Sequence, residues 1–155
     1  MTAVYEATAF PWVVAGAGGV LIGLWLDRAS ALFDGRNPLT KGGKLRNLSA
    51  PIRAIAKDCE MATMPACSDM VNHNTLRAQI FMAGRKLTKL GVSEPYLPAD
   101  ASPWVMFHNV GVMLRAILPA MEEGDVETAR YLSGLVREGQ IRNPTKEPEG
   151  LSMWS

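Results

Sequence analysis

From Ala7 to Leu26 the chain runs for 20 residues without a charged side chain, ATAFPWVVAGAGGVLIGLWL. At about 1.5 Å of rise per residue, a helix of that length spans about 30 Å, the thickness of a bilayer's hydrocarbon core. The run reads as a transmembrane signal-anchor, and nothing downstream constrains the chain as strongly. Pro11 sits near its start, where a missing N–H is harmless. Trp12 and Trp25 lie near its two ends, where indole rings favour the headgroup level, and Arg28 follows as a further interfacial anchor. Two rival readings exist. A cleaved signal peptide wants a positive n-region, which is missing here, although Ala29-Ser30-Ala31 resembles a cleavage site. A buried helix of a soluble core is the other, and 20 uncharged residues is long for one.

With 48% hydrophobic residues and a formal charge of +1, the composition would suit a soluble protein, but it averages two unlike parts. All 16 Lys and Arg residues follow the run, and Glu6 is the charged side chain that precedes it. Between Asp27 and Lys57 seven basic residues (Arg28, Arg36, Lys41, Lys44, Arg46, Arg53, Lys57) face two acidic ones, Asp27 and Asp34. The positive-inside rule keeps such a flank on the cytoplasmic side and leaves the N-terminus outside. Within the run, Ala15, Gly19 and Gly23 recur every four residues on one helix face, small enough for a second membrane helix to approach closely. The bland alternative is that glycine is simply common in membrane helices.

Asp34-Gly35, Asn37-Pro38 and Gly42-Gly43 are turn and breaker pairs, so residues 34–44 read as a basic juxtamembrane connector. Its charges either touch anionic headgroups or only fix topology. Beyond it the dominant period is helical. Leu45, Leu48, Ile52, Ile55, Cys59 and Ala62 step by three and four, with Pro51 as an interruption and Pro65 as a stop. Ser49 is a possible cap for a helix starting at Ala50. A second stripe runs through His73, Leu76, Ile80, Ala83, Leu87 and Leu90, with Ser68 or Asp69 as its cap and Gly91 at its C-terminus.

Ser102-Pro103 then opens a helix through Trp104, Phe107, Gly111, Leu114, Leu118 and Met121, apolar almost all the way round. It reads as the core helix; Arg115 argues against a second span, since a central arginine costs about 2.5 kcal/mol or more there. Pro119 is expected to kink or end it. A last helix begins at Gly124-Asp125 and closes at Gly139. No stretch sustains the alternation of a half-buried strand. The expected fold class is all-α, one N-terminal transmembrane helix followed by a small bundle of three to four helices. Its parts are an anchor over 1–33, the connector over 34–44, a helical domain over 45–139 and a flexible tail over 140–155.

Catalytic raw material is scarce. Cys59, Cys67, His73 and His108 could in principle hold a metal, but structural zinc sites prefer cysteines two to four residues apart, and the default for both histidines is a partly buried side chain. On the cytoplasmic side the thiols are expected to stay free. KGGK lacks the ending of a phosphate loop, and Glu122, Glu123, Asp125 and Glu127 make a solvated acidic corner. Near-cancelling charges argue against a nucleic-acid partner. Methionines on the stripes fill core gaps, or make adaptable partner surfaces where exposed.

The expectation is therefore a non-enzymatic, single-pass membrane protein with no cofactor. It acts by protein–protein interaction, as an accessory subunit of a membrane complex, and its partners are the bilayer and other membrane subunits or a second copy of itself. Two alternatives are a membrane-tethered helical effector of a phage or mobile element, of lysis type, and a membrane-bound metal or cofactor protein.

Overall fold

A computed structural model describes residues 39–149 of the chain. The expected membrane run, its packing face of Ala15, Gly19 and Gly23, the anchors Trp12, Trp25 and Arg28, and the tail residues Leu151, Met153 and Trp154 lie outside the described residues.

The described residues form five α-helices and no strand: α1 (Lys41–Asn47), α2 (Ser49–Thr63), α3 (His73–Lys89), α4 (Pro103–Glu123) and α5 (Val126–Arg142), with a 3-10 turn at Ser68–Met70 between α2 and α3. Local chemistry sets most boundaries. Pro51 has no N–H to offer Asn47, four residues earlier, and α1 gives way to α2 at Leu48. Met64, forced from the helical region by Pro65, ends α2 with ψ 121°. Ser102 caps α4 by accepting from the Val105 N–H at 3.2 Å. Gly91 (φ +84°) and Gly124 (φ +71°) supply the left-handed turns after α3 and α4. Asp125 caps α5, and the two hydrogen bonds from Thr128 hold its carboxyl below the usual range.

α4 is the centre. It packs most extensively on α2, then on α5 and α1. Trp104 donates from Nε1 to the Thr63 carbonyl at one end, and Arg53 pairs with Glu122 at the other, so α2 and α4 run antiparallel. The core joins Leu45, Ile52, Ile55 and Cys59 to Phe107, Val110, Met113, Ile117 and Met121, with Leu76, Leu87 and Ala129 from the flanking helices. Among the described residues α4 is also the one helix long and apolar enough to cross a membrane by length and composition, and most of that window is buried inside the domain.

Four expectations need correction. The connector was to run to Lys44, yet α1 begins at Lys41 and its Gly42 and Gly43 are buried. Ser49 does not cap α2; its hydroxyl donates to the Arg46 carbonyl at 2.6 Å. α3 is capped by Asn72, which accepts from the Thr75 N–H, and not by Ser68 or Asp69, which belong to the 3-10 turn. Finally, Gly139 does not end its helix: α5 continues to Arg142, with Gln140 buried where a tail was expected, while Pro119 lies inside α4, which continues to Glu123.

Candidate functional site

The sequence singles out Cys59, Cys67, His73 and His108, and the fold sends them to separate environments. Cys59 is fully buried beneath α4, and burial together with the neighbouring Asp58 charge pushes its thiol up to about 12. Such a thiol is a packing group. Cys67, a partly exposed free cysteine, lies in the turn before α3. His73 meets the Phe107 ring edge-on at 5.3 Å, and His108 stacks on Trp104 at 4.8 Å. Desolvation, aided by the Arg115 charge, lowers the His108 pKa from 6.5, favouring the neutral ring. Among the described residues no three His, Cys, Asp or Glu side chains are grouped to hold a metal ion.

Where buried polarity does concentrate, it serves the fold. Arg130, Ser133, Arg137 and Gln140, spaced three, four and three residues along one edge of α5, engage the backbone of the α3–α4 connection. Arg130 donates to the Leu90 carbonyl and Arg137 to that of Glu94, while Ser133 accepts from the Ser93 N–H and Gln140 from that of Tyr96. Asn109, 1% exposed in the middle of α4, completes the seam. It donates to the Tyr96 carbonyl and accepts from Thr145 at its side chain and from Gln140 at its backbone. An irregular segment carries many backbone groups without helical partners, and this row of side chains satisfies them. Spacing alone could have marked the row in α5, but its target could not be read from sequence.

The outer surfaces offer features of another kind. On α3, Phe81 (66% exposed) and Met82 (61%) face solvent, and on α5 Tyr131 and Leu135, one turn apart, do the same. These are large apolar side chains on regular elements. Between α1 and the end of α3 lies a pocket of about 360 Å³ lined by four lysines, Lys41, Lys44, Lys86 and Lys89, with Asn47, Leu48 and Leu90. A groove of about 260 Å³ between α2 and α3 continues from it, sharing Leu48 and Lys86. Lys41 and Lys44, expected in the connector, thus meet Lys86 and Lys89 only through the fold. No family model, curated protein or solved structure matches the chain.

Proposed function

We propose that this chain is a single-pass membrane protein with its N-terminus outside. Its helical domain stands on the cytoplasmic side and acts by binding, as an accessory or assembly subunit of a membrane complex. The observation that carries this reading is the uncharged run Ala7–Leu26 followed by a flank in which basic residues far outnumber acidic ones. The exposed apolar side chains of α3 and α5 offer contact area to a partner. The histidines and cysteines lie apart, Cys59 in the core, Cys67 in the turn before α3, and each histidine against a different aromatic ring.

Assembly through the Ala15, Gly19 and Gly23 face makes the reading testable. In native membranes solubilised with mild detergent, the chain should migrate in a complex larger than itself. Replacing Gly19 and Gly23 by Leu should collapse that complex while the helical circular dichroism is retained. Unchanged migration of the double variant would remove the transmembrane face from the account.

A further inference from the structure

Lys41 and Lys44 belong to α1, Lys86 and Lys89 to the last turns of α3, and the fold sets all four around one pocket. No carboxylate lines that pocket, and the three ion pairs among the described residues involve other side chains, Arg53, Arg115 and Arg130. Like charges converging on a concave surface raise the local potential and attract an anion. The volume, about 360 Å³, falls within the range of small-ligand sites, and Asn47, Leu48 and Leu90 complete the lining. From this pocket the groove between α2 and α3 runs past Pro51, Ala54, Ile55 and Met82. Apart from Asp58, Gln79 and Lys86 its lining is apolar. A cationic cup opening into an apolar channel is complementary to a molecule with an anionic head and a hydrocarbon tail.

We propose that this composite site binds an acidic phospholipid, the phosphate held by Lys41, Lys44, Lys86 and Lys89 and an acyl chain lying in the α2–α3 groove. A lipid is favoured over a free anion because the apolar groove continues from the cationic pocket. It is also favoured because Lys41 and Lys44 follow Leu26 by only 15 and 18 residues, within reach of a membrane surface if Ala7–Leu26 spans it. The proposal thus rests on the membrane-anchor reading for its supply of lipid, and on the folded domain for its geometry.

The test is calorimetric titration of the full chain in non-ionic detergent with three probes: dihexanoyl phosphatidylglycerol, dihexanoyl phosphatidylcholine and inorganic phosphate. Phosphatidylglycerol should bind at one site, phosphatidylcholine should not, and phosphate should bind about tenfold or more weakly than the acidic lipid. The double variant Lys44→Glu/Lys86→Glu should lose about tenfold or more in affinity for phosphatidylglycerol. Met82→Gln, which adds polarity to the groove without a charge beside Lys86, should weaken the lipid while leaving phosphate unchanged. Equal binding of the two lipids, or undiminished affinity in the folded charge-reversal variant, overturns the proposal. Phosphate binding as tightly as phosphatidylglycerol overturns the lipid in favour of a free anion. If circular dichroism shows the charge-reversal variant unfolded, Lys44→Gln/Lys86→Gln is judged by the same criteria. Failure of the anchor reading shows separately, as release of the chain from membranes by alkaline wash.

Discussion

Two glycines set opposite tests of how closely the helices approach. A Cβ on Gly111 would stand 3.2 Å from the Cys59 Cβ, an atom fixed to the α2 backbone beneath it, so relief requires the helices to part. Gly111→Ala should therefore lower stability by up to about 2 kcal/mol, an overpacking cost of about 1–3 kcal/mol set against a helix-propensity gain of about 1 kcal/mol. Cys59→Ala should not rescue it, because the obstructing Cβ remains. A Cβ on Gly84 meets nothing within 4 Å, beside a cavity of about 40 Å³ between α3 and α4. Gly84→Ala should then stabilise by about 1 kcal/mol in urea unfolding. Titratable groups give residue-scale expectations too. Cys59, with its raised pKa and complete burial, should resist thiol reagents near neutral pH until the chain is denatured, whereas Cys67 should label in the folded state. His108 has a folded pKa below its ordinary 6.5, so as pH falls the unfolded chain takes up its proton first. Its contribution to stability is complete above 6.5 and is lost as pH falls through the folded value. His108→Phe, which keeps a ring against Trp104, should flatten the fall in melting temperature as pH drops below 6.5.

At the level of elements, the α5 row is the feature most exposed to test. Gln140→Ala removes the acceptor of the Tyr96 N–H and the donor to the Asn109 carbonyl, and partners left unpaired cost about 1–3 kcal/mol. The Tyr96 amide should exchange faster with deuterium, while amides of α2 facing α4 keep their protection. Equal acceleration at both would mean that the row holds the whole domain and not the connection alone. The same elements show what a sequence discloses. Ser102-Pro103, Gly91 and Gly124-Asp125 are legible because capping chemistry acts within a few residues, and the Leu45 to Ala62 stripe is legible because one face of it is buried. Gly42-Gly43 misleads, since a pair that reads as a breaker lies inside α1. Gln140 and Thr145 look like tail until Asn109 is seen opposite them. The lysine pocket was invisible for the same reason: α1 and the end of α3 meet only in the folded domain.

Seen as a whole molecule, the domain spends its most apolar helix on its own core. α4 has the length and composition of a membrane span, yet α1, α2 and α5 pack around it and most of it is buried. That leaves Ala7–Leu26 as the segment for the bilayer in our account, with the helical domain offering its outer faces to lipid and to protein partners. Washing native membranes with alkaline carbonate tests this most directly, because it strips peripheral proteins and retains spanning ones. The account predicts that the full chain stays in the membrane pellet and that a variant carrying charged residues at Val14, Val20 and Leu24 is released. Release of the unaltered chain into the supernatant would contradict it and would leave the run as a cleaved signal peptide or a buried helix of a soluble protein.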